Sequence, residues 1–538
     1  MQNPFVIIFI LFFVVVTIVV TWLTTKSARS AADFYVAGKK IPWVQTGIAM
    51  IGSYLSAASF LGVAGDISIF GVDRIWLAIG FFGGYMAVLM LIAGPLRNVG
   101  SYTVADAIYR RFPAKEVKLL IMISTLIIST FYLVPQILGT GLLFELLLGW
   151  NFLLVTIILG ILMSIYIIFG GMKATLYNQV IQASFLLGAM VFITVFGFIM
   201  FTDGSFAKLM ELAAHIVPPS IAGANPAVAA AVSAAPNATA AIDIARQMLP
   251  NAPSAMTIGI QTPNLLAQIS TVVALVFGTA GLPHILIMFY TVPSARAAKK
   301  SVMLCVVGLG IFYICTIILG FLLMPEIYPR LVSWIADGKA GFAKNMSVLE
   351  GSKIIGGQFL MALAAAGAVA AVLSTAAGLM ITSASTVSHD LYKMYINKNA
   401  TEKQELNIAK VTTIAMSTIS VILAALLKNE NVAWLVTLGF GIAASAIFPA
   451  MLANLWWKRY TRQGAIAGIA SGLTVSLFFV ILLLAGVKSF IGLPTSGGPG
   501  IFGVTVSFIV MFVVSIRTKD TGADVEAFFA LAHKPDTD

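Results

Sequence analysis

The sequence predicts an all-α polytopic membrane protein with 13 transmembrane helices. Three observations carry this. The 538 residues are 59% hydrophobic and only 10% charged, too little charge to cover a water-facing surface of that size. Several apolar stretches exceed the ~18 residues that mark a spanning helix. The Lys and Arg residues also alternate in density from one connecting segment to the next, as in a chain threaded repeatedly through a bilayer.

The predicted spans are 5–24, 42–67, 75–96, 117–146, 152–170, 178–201, 263–290, 302–324, 354–387, 408–427, 431–456, 463–486 and 498–516. Met1–Phe5 carries no positive charge and the apolar run extends to Leu23, so the first stretch reads as a span rather than a cleaved leader. Alternate loops, beginning with Lys26, Arg29, Lys39 and Lys40, hold most of the 32 basic residues. The opposite side holds only Arg74, Lys208, Arg246, Arg330, Lys339, Lys344, Lys353, Lys428 and Lys488. The richer side is cytoplasmic by the positive-inside rule, which puts the N-terminus outside and the C-terminus inside a cell (inner) membrane. The net charge of +11 is then a matter of topology, not of nucleic-acid binding.

The chain divides into a first helix and loop (1–41), two five-helix blocks (42–201 and 263–456), an extracytoplasmic loop (202–262), two peripheral helices (457–516) and a cytoplasmic tail (517–538). The loop is Ala/Pro/Asn-rich between Pro218 and Pro253 and reads as flexible or weakly helical cover. The tail has a short amphipathic stretch at Val525–His533. Cys305 and Cys315 lie ten residues apart on one helix, about 15 Å, beyond disulfide reach.

Two spans look broken. The second reads Ile51-Gly-Ser-Tyr-Leu-Ser-Ala-Ala-Ser-Phe-Leu-Gly62, with small and hydroxylic residues at mid-depth. The seventh contains Gly278-Thr-Ala-Gly-Leu-Pro283, whose proline cannot complete the helical ladder. Irregular backbone at that depth persists only where protein or a wet cavity satisfies it. Freed carbonyls there can hold a cation and freed N–H groups an anion. The breaks fall five spans apart, the spacing of two five-helix inverted repeats.

In the ninth span Ala371, Ser374 and Thr375 stand at i, i+3 and i+4 on one face, within a run of small residues that permits close helix approach. One carbonyl and two hydroxyls there suit a hard cation; equally, both hydroxyls can bond back to their own helix. His284, after Pro283, can orient a carboxylate, carry a proton or satisfy freed backbone. Gln136, beside Pro135, can contact solute or satisfy a kink. Asp66, Glu145 and Lys173 lie near span ends and read as interfacial anchors. The sequence offers no catalytic set, no Cys/His metal cluster and no phosphate-binding loop, so neither an enzyme nor an ATP-driven pump is expected.

At these residues the sequence resembles the sodium:solute symporter family, over nearly the whole chain. Ser374-Thr375 after Ala370-Ala-Val-Leu looks like its sodium motif, and Ile381-Thr-Ser-Ala-Ser-Thr-Val-Ser-His-Asp-Leu-Tyr392 like its signature. The resemblance implies a LeuT-like fold with a 5+5 inverted-repeat core. It also implies sodium ligands at the carbonyls of Gly52, Leu55 and Ala371 and the hydroxyls of Ser374 and Thr375. Asp33-Phe-Tyr-Val-Ala-Gly38, Ser53–Gly62 and Phe277-Gly-Thr-Ala-Gly-Leu-Pro-His-Ile-Leu286 are similar to the family's acetate and monocarboxylate carriers. Proline carriers of the family place an aspartate where Tyr54 stands, so that residue's role does not transfer. The expected activity is symport of Na+, with no other cofactor, and a small organic anion. Acetate leads, and pyruvate, lactate, propionate, urea, a polyol or proton coupling are the alternatives. The carboxylate is expected at the backbone around Ser53 and Ser56 and around Gly278, Thr279, Ala280 and Gly281, with His284 and Gln136 nearby. A sensor role is the other class of reading, but only about 22 residues follow the last span.

Overall fold

The computed structural model describes residues 4–25, 30–260, 264–428, 432–487, 489–490, 493–494, 500–522 and 524–535. Lys26, Arg29 and Lys488 of the charge pattern lie outside the described residues. Among those described, 11 helical stretches are long and apolar enough to cross a membrane. Phe152–Thr202 counts as two spans. A straight helix of its 51 residues would reach ~77 Å against a ~30 Å hydrocarbon layer, and its backbone reverses at Gly171 (φ 56, ψ −153). Ala58–Val99 likewise turns at Gly71 (φ 74, ψ −147). Its first part completes a span begun by the half-helix Trp43–Tyr54, and its second part is a span of its own. The chain is therefore a multi-pass helical membrane protein, with 13 spans among the described residues. A two-residue antiparallel pair, Ser489–Phe490 with Leu493–Pro494, is the only strand pairing among the described residues.

Both expected breaks are present. In the second span helix ends at Tyr54, Leu55 leaves the helical region (φ −70, ψ 102), and helix resumes at Ala58–Gly62 and Val63–Phe70. In the seventh span Leu265–Gly281 gives way at Leu282 (φ −70, ψ 115) to Pro283–Leu286 and a 3-10 turn, Ile287–Thr291. The ninth span starts near residue 358 rather than 354. Gly357, at φ 64, turns the chain out of the preceding helix there. The span continues into a π-helical segment, Thr386–Ile396. Its small residues admit neighbours closely: a Cβ on Gly367 would lie 2.9 Å from the Phe60 ring.

Of the two readings of the loop, flexible or weakly helical cover, the helical one is found. Phe206–His215, Pro219–Ala222, Pro226–Ser233 and Ala238–Met248 are helices, two of them capped by Asn225 and Asn237 side chains. Val228, Val232, Ala241 and Ala245 are buried. The physical reason is that alanine-rich turns need only one small apolar stripe to dock, and this one packs on Tyr328–Ala336. Asp66 is also not an interfacial anchor: it is buried and pairs with Lys344 at 2.7 Å. Glu145 pairs with Lys428 at 2.8 Å. Both cysteines are free.

At the opposite end charges interlock. Lys118 Nζ lies 2.9 Å from both Asp106 Oδ1 and Asp390 Oδ1. His389 reaches Glu405 at 3.1 Å and Asp106 at 3.5 Å, and Lys393 reaches Glu405 at 2.8 Å. Thr103 Oγ1 donates to Asp390 at 3.0 Å. Arg111, fully buried, pairs with no carboxylate among the described residues. Its guanidinium donates to the carbonyls of Asn454, Trp457, Lys458, Tyr460 and Thr521. Burial pulls its pKa down to about 10, which leaves it charged at neutral pH. Phe528 and Phe529 of the tail helix Val525–Ala532 flank it.

Candidate functional site

The break at Leu55 decides the site. An α-helix satisfies a carbonyl with the N–H four residues on, and non-helical backbone at Leu55 removes that partner from the residues just before it. Other helices supply the missing donors. Ser374 Oγ lies 2.6 Å from Gly52 O and 2.9 Å from Ala371 O, and Thr375 Oγ1 lies 3.4 Å from Leu55 O. Tyr132 Oη donates to Tyr54 O at 3.3 Å. Ser374 and Thr375 are 0% exposed. Five oxygens, those of Gly52, Leu55, Ala371, Ser374 and Thr375, thus converge from two spans with no formal charge among them. The hydroxyls bond across to the broken helix as well as, for Ser374, to their own. Such a neutral oxygen set matches a monovalent hard cation; a divalent one ordinarily brings carboxylates.

Beside this cluster stand polar groups with unmet hydrogen-bonding capacity. Ser53 and His284 are 0% exposed. Neither Ser53 Oγ nor either His284 ring nitrogen makes a hydrogen bond of ordinary geometry, although the Ser53 backbone lies close to the imidazole. Gly378 lets them meet: a Cβ there would sit 2.7 Å from Ser53 Oγ and 3.5 Å from the His284 ring. His284 packs edge-on to Tyr132, centroids 5.4 Å apart, and Ser56 neighbours the Tyr132 hydroxyl. Gln136 Nε2 turns back to Tyr132 O at 3.3 Å, easing the proline kink, and its Oε1 is left without a partner. Buried polar atoms of this kind cost free energy unless something satisfies them.

The glycine strip of the seventh span is placed differently. Helix runs through Gly281, so its backbone N–H groups belong to the helical ladder, and the break comes one residue later. Gly278 and Gly281 press on the eleventh span, where a Cβ would lie 2.4 Å from Phe440 O and 2.5 Å from Ala443 O. Thr279 Oγ1 donates to Leu275 O and meets Tyr54 Oη at 2.7 Å, while Ala280 is fully buried. These four residues fix helix packing and the Tyr54 ring; Ser53, His284 and Gln136 carry the unsatisfied atoms.

Sequence reasoning missed Gln179, whose Nε2 donates to Ser374 O at 2.9 Å and whose Oε1 is unpartnered. Its signal was available: Asn178, Gln179 and Gln182 stand together within a span, buried, where amide side chains are costly. Tyr132 was missed because an aromatic residue in a span ordinarily reads as packing.

The profile of the sodium:solute symporter family matches residues 34–472. An uncharacterized symporter, YwcA, of Bacillus subtilis (strain 168) is 35% identical over 525 residues, covering 96% of this chain and 95% of the relative. A monocarboxylic acid transporter of Corynebacterium glutamicum is 38% identical over 464 residues, covering 85% of this chain and 80% of the relative. Among solved structures, the substrate-bound outward-open state of a Na+-coupled sialic acid symporter superposes with a TM-score of 0.73 at 14% identity, over 96% of this chain and 98% of that one. At that identity the match speaks for the fold alone, which is LeuT-like.

Proposed function

The chain belongs to the sodium:solute symporter family, and on that premise we propose that it couples Na+ to the uptake of a short-chain monocarboxylate, with acetate first. The observation that carries the reading is the oxygen cluster of Gly52, Leu55, Ala371, Ser374 and Thr375. Na+ replaces the hydroxyl hydrogens as the electrophile facing Gly52 O and Leu55 O, and so ties the broken second span to the ninth. The solute then lies against Ser53, His284, Tyr132 and Gln136. No carboxylate stands among these residues, so a cationic solute finds no partner and an anion finds donors. Tyr54, Tyr85 and Phe440 crowd the same region at 4.7 to 6.1 Å between ring centroids, which favours a small solute. A relative that carries monocarboxylic acids supports the class. All of these groups are buried, so access requires movement; rocking of the blocks 42–201 and 263–456 against each other supplies it. We place the protein in the inner membrane with its N-terminus outside and the Asp106–Lys118 end in the cytoplasm, from the distribution of basic residues.

One Na+ with one monoanion moves no net charge. Radiolabelled acetate uptake into proteoliposomes should therefore rise with an inward Na+ gradient and be unchanged by a voltage step, which would otherwise supply ~2.3 kcal/mol per charge per 100 mV. Uptake indifferent to Na+ rejects the coupling; Na+-driven uptake of another solute that acetate fails to compete with rejects the substrate. The unpartnered His284 favours a second reading, proton coupling. Uptake driven by a pH gradient without Na+, and lost in His284→Gln, would select it.

A further inference from the structure

An open groove of about 440 Å³ runs between Phe448–Trp456 and the last span, Gly500–Arg517. Its walls are apolar: Leu452, Trp456, Trp457, Phe508, Ile509 and Phe512. Trp457 stacks on Phe512 at 5.4 Å, and Trp456 anchors its indole N–H on Leu91 O at 2.7 Å, so the walls are fixed. A flat lipid-facing helix pair needs no such concavity.

One end of the groove is cationic. Arg459 donates through Nη2 to Ile516 O at 3.2 Å, which sets its guanidinium one helical turn beyond Phe512. Arg517 and Lys519 follow directly in the chain, and all three are exposed. Their basic neighbours are neutralised: Lys458 pairs with Glu526 at 2.8 Å and Arg462 with Glu116 at 3.3 Å. No ion pair joins Arg459, Arg517 or Lys519 to a carboxylate among the described residues. The nearest acid in sequence, Asp520, takes the Gly522 N–H. Indoles and free cations at the polar end of an apolar furrow are what a lipid with a charged headgroup requires.

We propose that this groove binds one anionic phospholipid, its acyl chain lying along Leu452, Ile509 and Phe512 and its phosphate among Arg459, Arg517 and Lys519. The site lies away from the oxygen cluster and is independent of which solute is carried. A zwitterionic lipid fits the groove equally well and brings the same phosphate, but its own ammonium offsets that charge and is repelled by the three cations, so net headgroup charge decides occupancy.

Native mass spectrometry of the delipidated full chain tests this, with an equal mixture of phosphatidylglycerol and phosphatidylcholine of the same acyl chains. The expected result is retention of phosphatidylglycerol over phosphatidylcholine by about tenfold or more. Replacing Arg459, Arg517 and Lys519 together by Gln should bring the two lipids to parity. Ile509→Trp, which fills the groove and leaves the cations, should lower retention of both. A control with Lys398, Lys403 and Lys410 replaced by Gln should keep the preference. Equal retention by the unaltered chain, a preference that survives loss of the three cations, or an equal loss in the control overturns the proposal. So does a disulfide-linked dimer through Ile509→Cys in membranes, since a second copy would then occupy the groove.

Discussion

At mid-span the chain gathers oxygens that carry no charge; at one face it gathers whole charges and neutralises them against one another. The Gly52–Leu55–Ala371–Ser374–Thr375 cluster holds together by hydroxyl-to-carbonyl bonds of 2.6 to 3.4 Å, each of which a cation can displace. In the lattice of Asp106, Lys118, Asp390, His389, Glu405 and Lys393, every acid meets a base within 3.1 Å. Lys118 already stands where a metal between Asp106 and Asp390 would have to go. The two clusters share the ninth span, which carries Ser374 and Thr375 at its middle and His389 and Asp390 at its end. The difference teaches that buried polarity alone does not mark an ion site. What distinguishes one is electron density left unclaimed by a fixed positive charge.

The comparison breaks most severely at Lys118. Lys118→Met leaves Asp106 and Asp390 buried side by side without their cation, and removing one partner of such a pair costs about 3–5 kcal/mol. The expected result is a large fall in melting temperature, measured in detergent solution; an unchanged melting temperature would mean the lattice is decorative. Next comes the neutral cluster. Ser374→Ala with Thr375→Ala should raise the Na+ concentration for half-maximal uptake about a hundredfold, at roughly 1.4 kcal/mol per lost oxygen. Its melting temperature without Na+ should move far less than that of Lys118→Met. Equal Na+ dependence in the double variant and the parent would remove the cation site from that span.

A smaller effect is expected at His284. His284→Leu should raise the KM for acetate by about tenfold while Na+ stimulation persists, because one donor to a carboxylate is lost and the oxygen cluster is untouched. Loss of Na+ stimulation instead would merge the two sites. The mildest effect concerns pH. Burial pushes the Asp106 carboxyl up, but the His389 and Lys118 hydrogen bonds and charges outweigh it and hold the carboxyl well below the usual carboxylate range. A carboxyl lowered in the folded state stabilises above its unfolded pKa, and that stability is lost as pH falls through the folded value. Stability attributable to Asp106 is therefore complete at neutral pH and erodes only in strong acid. Asp106→Asn should flatten the acid limb of melting temperature against pH.

The neutral cluster was legible because its parts advertise themselves locally: Ser and Gly at mid-depth in the second span, and a Ser-Thr pair with the right period in the ninth. The breaks followed from composition and from Pro283. The charged lattice was not legible, since its members lie on two connections almost 300 residues apart, Asp106 and Lys118 on one and His389 to Glu405 on the other, and each alone reads as a loop charge. Gln179 was overlooked for a related reason, as its partner, Ser374, lies 195 residues away. The helices between Phe206 and Met248 were only half legible because alanine, proline and asparagine are shared by disordered linkers and capped helical turns, and only the docking of Val228 and Ala241 decides between them. The Gly278–Gly281 strip read as freed backbone because Pro283 was seen, but the ladder persists until Leu282.

The guanidinium of Arg111 has a further consequence, for the making of the protein. All its acceptors are carbonyls 343 to 410 residues downstream. At 5–20 residues per second of synthesis, the group waits roughly 20 to 80 s for them. Until then the segment before the fourth span can settle only provisionally, exposed to water or to the insertion machinery. The last-made parts of the chain thereby complete one of its earliest, and a ribosome stalled before residue 454 leaves behind an unmatched cation that quality control can detect.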